Sequence, residues 1–464
     1  MSSFGGTWFG VWATLASGAM FALSLDVGPV GPLALLAPIP LLLYALSAPR
    51  TWHVALAAAA ARALGMIGVV HVYGGILPLP ALLSWIAIFA LMYMLVVLGT
   101  RWLARGLPAA GAVFAYPLLL VLAEWLFGVV APNGSFGAMG YALVDVLPLL
   151  QAASLGGLAA LTFCLALLPM TVVVMILRKE RRAAAIAGFA PLLAALLFGF
   201  LRLSQSHDAQ VRVGLVGVDS VEALAYRGEA QDLAAARAFA AQIGPLAAAQ
   251  PQYIVLPEKQ LGGGRTAQAS LQIIAAATRG TNATVVAGFD EILDDGARVN
   301  SARIFEAGEA RGRYDKRRMI PGLELGYRPG AGSLVEGARG IAICKDMDFP
   351  QMIRDYGAKG VQLLLVPAWD FVKDGRLHSR MAVVRGVENG FAIARAAAAG
   401  RLTASDRYGR IVAEAVTTPD KPVTVVTELG LKSGGTWYVK LGDTFAWLCL
   451  LAAASLLVWR LRRR

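Results

Sequence analysis

The composition of this chain excludes an ordinary soluble enzyme. It has 464 residues, of which 57% are hydrophobic and only 16% are charged, and its mean hydropathy is +0.61. Such an apolar chain is typical of an integral membrane protein. The net charge of +12 is high, but many basic residues flank apolar segments, where they set membrane orientation. No basic patch is interleaved with aromatic residues, so we expect no nucleic-acid partner.

Eight apolar segments are candidates for membrane spans, each of which needs about 20 apolar residues. Seven precede a more polar region and one follows it: 8–25, 32–48, 54–77, 82–103, 109–130, 149–177, 184–203 and 444–459. The first segment has no basic region before it, so we interpret it as a retained span rather than a cleavable signal peptide. Arg62 lies inside the third segment, where a charge has a function, reaches toward the membrane surface, or indicates that the limits of the span are wrong.

Basic clusters predict how these spans are oriented. They follow the second, fourth, sixth and eighth spans, at Arg50, at Arg101 and Arg105, at 178–182 and at 460–464. Because basic residues accumulate on the cytoplasmic side, the even spans should end there. The polar region between the seventh and eighth spans is therefore predicted to be extracytoplasmic.

The sequence predicts a membrane domain at 1–207, a catalytic domain at 208–438, and a closing transmembrane helix with a basic cytoplasmic tail at 439–464. Within 208–438, short β-rich runs alternate with helical patterns, and several runs are apolar on both faces. This pattern favours a layered α/β domain whose sheets are covered by helices. Strands are predicted at 211–216, 253–256, 284–287, 303–305, 341–343, 363–366, 391–394, 411–413 and 423–426, and helices at 233–248, 267–278, 349–356 and 376–389.

One of the three cysteines is placed to react. Cys164 and Cys449 lie in long apolar runs, where a thiol is usually a small hydrophobic group. Cys344 instead follows the apolar run 340–343 and opens a charged, helical segment. Backbone N–H groups at a helix start favour a thiolate, although a cysteine in a strand-like run can equally be inert.

Two further polar residues follow predicted strands. Glu258 comes after the run 253–256, and Lys316 lies beyond the strand at 303–305. Active-site residues of α/β domains gather at strand ends. A buried carboxylate can serve as the base for a cysteine, and a lysine can stabilise a thiolate or an oxyanion. The alternatives are that Glu258 caps the next segment and that Lys316 belongs to a solvated basic face.

Other candidate sites are weaker. No metal-ligand spacing joins His53, His71 and His207, and we interpret His378 as a surface histidine. The run Gly262–Gly264 lacks the lysine and hydroxyl of a phosphate-binding loop, but its place after Glu258 suits a mobile lid. We expect neither a metal nor a cofactor.

The order of these motifs resembles the nitrilase, or carbon–nitrogen hydrolase, superfamily, whose signature is a Glu–Lys–Cys triad. With the membrane spans, the whole chain resembles the bacterial apolipoprotein N-acyltransferase family. The segment 316–324, the pair Ala368-Trp369, and the segments 385–390 and 406–410 also fit the family pattern. The resemblance implies an αββα sandwich for the extracytoplasmic domain, on the periplasmic side of the bacterial inner membrane.

The resemblance also implies residue roles. Glu258 would be the general base, Lys316 the stabiliser of the oxyanion and thiolate, and Cys344 the nucleophile. Glu324 would be a supporting carboxylate, and Asp346 stands where the family usually has a glutamate. The implied reaction moves an acyl chain from a membrane phospholipid, through a thioester on the cysteine, to the N-terminal cysteine α-amine of a diacylated lipoprotein.

Four residues are candidates for contacting substrate: Leu323, Lys345, Trp369 and Phe371. Lys345 stands where the family usually has an aromatic residue, and Leu256 where it usually has tryptophan. We expect the lysine either to lower the pKa of the thiol or to point outward toward a lipid phosphate. These departures leave open a membrane-tethered nitrilase-type amidase, in which water resolves the acyl-enzyme. A degenerate scaffold is disfavoured because the triad and Glu324 are retained.

Overall fold

The computed structural model describes residues 4–217, 229–262, 267–418 and 421–463. It divides into two compact units. Residues 1–204 and 441–464 form a helical unit, and residues 205–440 form an α/β unit.

The helical unit contains long apolar helices joined by short connections. Its helices are α1 (Thr7–Ser24), α2 (Pro38–Ser47), α3 (Thr51–Gly65), α4 (Ile67–Tyr73), α5 (Leu79–Arg105), α6 (Ala109–Ala112), α7 (Ala115–Val130), α8 (Leu147–Leu150), α9 (Ala153–Leu177) and α10 (Arg181–Leu203), and it also includes the C-terminal helix Thr444–Arg462. Short 3₁₀ helices occupy Gly31–Leu35 and Met139–Leu143.

Six helices of the described chain are long and apolar enough to cross a membrane: Thr51–Tyr73, Leu79–Arg105, Ala109–Val130, Ala153–Leu177, Arg181–Leu203 and Thr444–Arg462. They coincide with six of the eight predicted spans. The first predicted span is the 18-residue α1, and the second is a shorter apolar helix, Gly31–Ser47. A count of eight spans therefore stays a prediction.

The charge predicted inside the third span is neutralised within the helical unit. Arg62 is buried and its Nη2 lies 3.2 Å from Oδ2 of Asp26. Its guanidinium carbon lies 5.3 Å from the centre of the Phe89 ring. Arg62 lies in the last turn of α3, and its charge is paired inside the helical unit.

The α/β unit contains two six-stranded sheets. The first has the order β12-β1-β2-β3-β4-β5 and the second the order β11-β10-β9-β8-β7-β6. Their strands are β1 (Ala209–Gly217), β2 (Tyr253–Val255), β3 (Thr284–Ile292), β4 (Arg298–Glu306), β5 (Glu309–Asp315), β6 (Leu334–Glu336), β7 (Arg339–Ile341), β8 (Leu363–Trp369), β9 (Ala392–Ala398), β10 (Arg401–Ser405), β11 (Ile411–Val416) and β12 (Val423–Leu431). The helices are α11 (Glu229–Ala247), α12 (Ala267–Thr278), α13 (Pro350–Ala358), α14 (Gly375–Asn389) and α15 (Trp437–Leu441), and the C-terminal helix of the other unit is α16.

The two sheets pack face to face and helices cover their outer faces. One apolar core lies between the sheets and includes Leu215 and Val286 of the first and Leu365 of the second. A second core joins α11 and α12 to the first sheet, and a third joins α13 and α14 to the second. The domain is therefore the four-layer αββα sandwich that the sequence resemblance implied.

The central strands are parallel and buried on both faces, as their continuous apolar runs predicted. In register, Leu215 of β1 pairs with Val255 of β2, and Ile341 of β7 pairs with Leu365 of β8. Sequence analysis missed β5, β6 and β10. The reason is physical: β5 is mostly charged, β6 has only three residues and β10 contains several polar residues, so none shows a long apolar run.

Candidate active site

Three polar residues predicted to lie at strand ends do so. Glu258 follows β2, Lys316 directly follows β5, and Cys344 follows β7 and opens a 3₁₀ helix that extends to Asp348. The lysine thus follows β5 rather than the strand at 303–305. The Glu258 N–H donates to the Ala368 carbonyl at 3.1 Å, which joins the end of β2 to a strand of the other sheet.

The centre of the site is a buried lysine between two carboxylates. Nζ of Lys316 lies 2.8 Å from Oε1 of Glu258 and 2.8 Å from Oε2 of Glu324. Nδ2 of Asn300 also donates to both, at 2.6 Å to Glu258 and 2.8 Å to Glu324. The structure therefore brings two members of the predicted triad together with the predicted supporting carboxylate.

The electrostatics of this cluster keep the lysine charged. Burial by itself would lower the pKa of Lys316, but the charges of Glu258 and Glu324 reverse that effect and raise it well above its usual value. A lysine that stays protonated can donate hydrogen bonds to a developing oxyanion.

The two carboxylates differ in how many of their oxygens are occupied. Both oxygens of Glu324 accept hydrogen bonds, because Oε2 also accepts from the Ile320 N–H at 2.8 Å and Oε1 lies 3.3 Å from Nζ of Lys259. Burial raises the pKa of Glu324, but the lysine charges outweigh it and lower the pKa to about 2. Oε2 of Glu258 is buried without a hydrogen-bond partner among the residues that the structure describes, so it is free to take a proton.

The cysteine lies on a strained turn. The φ angle of Cys344 is +40°, a left-handed conformation that side chains rarely adopt and that is often found at functional sites. Its Sγ lies 3.4 Å from the Trp369 carbonyl oxygen. Burial and the Glu258 carboxylate raise the pKa of the thiol well above its usual value, against the charges of Lys316 and Arg395.

This environment corrects one expectation from the sequence. A helix start was expected to favour the thiolate, but the helix is a single five-residue 3₁₀ segment, and burial raises the pKa of the thiol instead. The resting cysteine is a neutral thiol and needs a base to become nucleophilic.

Asp346 joins the lysine segment to the cysteine turn. Its buried carboxylate accepts from the Tyr314 hydroxyl at 2.8 Å, the Ile343 N–H at 3.0 Å, the Arg317 N–H at 3.1 Å and the Arg318 N–H at 3.0 Å. Burial raises the pKa of Asp346 to about 6, although these hydrogen bonds oppose the rise. Asp346 therefore fixes the lysine segment against the cysteine turn.

Lys345 is neither exposed nor directed outward. Its side chain is buried, and Nζ lies 3.1 Å from Oδ2 of Asp348. The interpretation of this lysine as an outward-facing contact for lipid phosphate is therefore wrong in this structure, because its charge is paired inside the domain.

The other candidate substrate contacts lie on two segments. Trp369 ends β8 and is buried, and Phe371 is half-buried two residues beyond it. Leu323 and Leu325 flank Glu324, and Leu325 is 79% exposed. The apolar side chains that flank Glu324 are thus available for contact outside the domain, whereas Trp369 is part of its interior.

Several polar residues around the site were missed by the sequence reading. Asn300 lies in the middle of β4, and Lys259 directly follows Glu258. Asp370 and Arg395 form a buried ion pair. The sequence carries no signal that singles out Asn300, because its strand also contains charged side chains such as Arg303, and the partners of the other residues are distant in sequence.

His378, interpreted above as a surface residue, is largely buried. Its Nε2 lies 3.2 Å from Oδ2 of Asp374. Burial lowers the pKa of the imidazole, but the carboxylates of Asp374, Asp370 and Asp348 outweigh it and raise the pKa. No group of three or more metal-ligating side chains occurs in the described part of the chain. Of the suggested glycine lid, Gly262–Gly264, residues 263–264 lie outside that part.

Residues 212–438 match the family model described as carbon–nitrogen hydrolase. This match and the site define the α/β unit as a domain of the carbon–nitrogen hydrolase, or nitrilase, class. Among solved structures, an amidase of the nitrilase superfamily from Nesterenkonia AN1 aligns with 48% of this chain and 91% of its own, with 21% identity and a TM-score of 0.38.

The helical unit identifies the family more narrowly. Residues 17–171 match the model described as apolipoprotein N-acyltransferase N-terminal domain. A Geobacter metallireducens protein named apolipoprotein N-acyltransferase is 27% identical over 97% of this chain and 94% of its own length. A Shewanella oneidensis protein of the same name is 35% identical over 26% of this chain and 24% of its own. The chain is thus similar to the apolipoprotein N-acyltransferase family over nearly its whole length, as its sequence predicted.

Proposed function

We propose that this protein is a membrane-bound N-acyltransferase that modifies lipoproteins. Its acyl donor would be a phospholipid and its acceptor the N-terminal cysteine α-amine of a diacylated lipoprotein. The observation that carries the proposal is the buried Lys316 between Glu258 and Glu324, in a domain that also places Cys344 on a strained turn. Both family matches support the same reaction class.

In the first half-reaction, the Cys344 thiol attacks the ester carbonyl carbon of the phospholipid. Its proton passes to the open Oε2 of Glu258 as the sulfur–carbon bond forms. The negative charge that develops on the carbonyl oxygen is stabilised by Lys316 and a backbone N–H. When the ester carbon–oxygen bond breaks, Glu258 returns the proton to the leaving oxygen, and lysophospholipid departs.

In the second half-reaction, the lipoprotein amine attacks the thioester carbonyl. Glu258 takes a proton from the nitrogen as the carbon–nitrogen bond forms. The carbon–sulfur bond then breaks, and the proton returns to the sulfur of Cys344, which restores the neutral thiol. The raised pKa of the free thiol makes this last proton transfer favourable.

We propose that the protein lies in the bacterial inner membrane with its catalytic domain on the periplasmic side. The basic clusters that follow alternate predicted spans support this orientation. A catalytic domain held between two spans keeps both lipid-linked reactants near the bilayer surface, which raises their effective concentration at the site.

The proposal is tested with the purified full-length protein in detergent. It is mixed with dioleoyl phosphatidylethanolamine and then with a synthetic diacylated lipopeptide that has a free α-amine. Mass spectrometry should find an oleoyl group on Cys344 after the first step and on the lipopeptide amine after the second. Cys344→Ala should form neither product, whereas Cys164→Ala should form both.

The two steps separate the alternatives. Absence of any acyl group on Cys344 in the otherwise folded protein would exclude the thioester mechanism. An acyl-enzyme that releases free fatty acid in water but never acylates the lipopeptide would overturn the transferase and support the amidase-like hydrolase.

A further inference from the structure

The two carboxylates beside Lys316 are close to equivalent in their contacts with it. Each accepts a hydrogen bond from Lys316 at 2.8 Å, and each also accepts from Nδ2 of Asn300, at 2.6 Å for Glu258 and 2.8 Å for Glu324. A pair of carboxylates that share their donors in this way can share one proton. Some additional feature must decide which of the two accepts the proton of the cysteine.

The difference comes from Lys259. This residue directly follows Glu258, yet its Nζ lies 3.3 Å from Oε1 of the other carboxylate, Glu324. Lys259 and the Ile320 N–H thus add one donor to each oxygen of Glu324. Oε2 of Glu258, by contrast, has no hydrogen-bond partner among the described residues. Glu324 therefore faces two lysines, whereas Glu258 is hydrogen-bonded to one.

The ammonium group of Lys259 is held in place from several sides. It lies 4.9 Å from the centre of the Tyr327 ring and 5.6 Å from that of Trp369. The Tyr327 hydroxyl donates to Oδ2 of Asp290 at 3.0 Å, and the Arg298 guanidinium lies 4.6 Å from the Tyr327 ring centre.

The backbone of Lys259 also has a φ angle of +52°, and its side chain is only 11% exposed. A left-handed backbone is unfavourable for a lysine and persists where the surroundings require it. Here it turns the lysine side chain back to Glu324 directly after the base residue.

We propose that Lys259 is a positioning residue that assigns the two carboxylates their roles. It holds Glu324 as the permanent counterion of Lys316, and so leaves Glu258 as the single proton acceptor for Cys344. The inference rests on the proposed function, in which Glu258 acts as the base, and it adds a residue to that site that the triad does not include.

The charge balance gives the inference a direction in pH. The groups that face one another are Glu258, Glu324, Lys316, Lys259 and Cys344, and the paired Asp290 and Arg298 lie behind Tyr327. Removing the positive charge of Lys259 makes protonation of either carboxylate easier. A proton on either of them weakens the base, so activity should be lost at a higher pH than in the wild type.

The experiment compares the Lys259→Gln and Lys259→Arg variants of the full-length protein, with Lys359→Gln as a matched control that removes a charge from an exposed lysine. The rate of acyl-enzyme formation from dioleoyl phosphatidylethanolamine is measured from pH 5 to pH 9. Lys259→Gln should move the acid limb of the profile upward by about one pH unit. The rate of Lys259→Gln should then be about tenfold lower than that of the wild type at pH values below the wild-type acid limb, and the difference should disappear at pH values well above it.

Lys259→Arg should restore the acid limb to the wild-type position, because it keeps the charge, and Lys359→Gln should leave the profile unchanged. A purely structural role would instead reduce the rate by the same factor at every pH. That result, an unshifted Lys259→Gln profile, or an equal shift in both Lys259 variants would overturn the inference.

A second measurement does not depend on the proposed substrate. Alkylation of Cys344 by iodoacetamide also requires removal of its proton, so its pH profile should show the same shift in Lys259→Gln. If the wild type forms no acyl-enzyme, the proposed function fails, and the alkylation profiles still decide the role of Lys259.

Discussion

In the helical unit, buried Arg62 faces one carboxylate, that of Asp26, whereas in the α/β unit buried Lys316 lies between two. Arg202, also buried in the helical unit, donates from Nη1 to an uncharged group, Oε1 of Gln151, at 2.9 Å. In the helical unit these two buried cations therefore lie against side chains that neutralise or hydrogen-bond them.

The cluster around Lys316 is different because one acceptor is left open. Oε2 of Glu258 has no partner among the described residues, and the nearby thiol carries a proton it can give up. A buried charge network that is complete supports structure, whereas one with an open acceptor beside a neutral donor can carry out proton transfer. The following predictions test that difference, from the largest expected effect to the smallest.

Glu258→Gln should reduce acyl-enzyme formation by about 10²- to 10⁴-fold, the usual effect of removing a general base. Glu324→Gln should have a smaller effect, of about tenfold to a hundredfold, because it removes a counterion and not the base. Both rates are measured with dioleoyl phosphatidylethanolamine at pH 8. Equal losses in the two variants, or a larger loss in Glu324→Gln, would contradict the assignment of roles.

Asp346→Asn should lower the melting temperature. In the wild type both carboxylate oxygens accept from N–H and O–H donors, and in the variant the amide NH₂, itself a donor, would replace one of these oxygens. Leaving buried donors unsatisfied costs about 1–3 kcal/mol. The acylation rate should fall by about tenfold, since misplacement of catalytic groups weakens catalysis. Melting temperatures of the wild type and the variant in the same detergent check the first effect.

The stability difference should also depend on pH. Folding raises the pKa of Asp346 to about 6, so the folded protein holds a proton there that the unfolded chain releases near pH 4. The contribution of this group to stability is therefore fully present below about pH 4 and is lost as the pH rises through 6. The gap in melting temperature between wild type and Asp346→Asn should narrow over that range; a gap that widens would contradict the assignment.

Arg62→Met should have the smallest effect on chemistry. It leaves the buried Asp26 unpaired and should lower stability by about 3–5 kcal/mol, but the acylation rate of the folded fraction should stay within about twofold of wild type. The double variant Arg62→Met/Asp26→Asn should recover part of the melting temperature. A loss of acylation greater than tenfold without unfolding would show that this ion pair also serves the reaction.

Much of the architecture could be predicted from local patterns. Long apolar runs identified the helices of the helical unit, because a segment that spans a bilayer must satisfy its own backbone and expose apolar side chains. Runs of apolar residues also identified most central strands, since both faces of those strands are buried. The strand β5 was missed because most of its side chains are polar or charged, and β6 because it has only three residues.

The site divides in the same way. Glu258, Lys316 and Cys344 could be selected because each follows a strand and has a chemically suitable side chain. Lys345 could not be interpreted correctly, because its burial against Asp348 depends on how the 3₁₀ turn packs. The protonation of Cys344 was also misjudged, since the sequence shows a helix start but not how deeply the thiol is buried.

The sequence alone therefore determined the class of the protein, the order of its segments and the reactive residue types, because these follow from hydrophobicity and from the chemistry of single side chains. Only the tertiary structure decided which charges meet. The pairing of Lys259 with Glu324 joins residues 65 positions apart, and the open oxygen of Glu258 exists because its neighbours are occupied elsewhere. Such relations depend on distances of a few ångströms between distant segments, and no local pattern in the chain carries them.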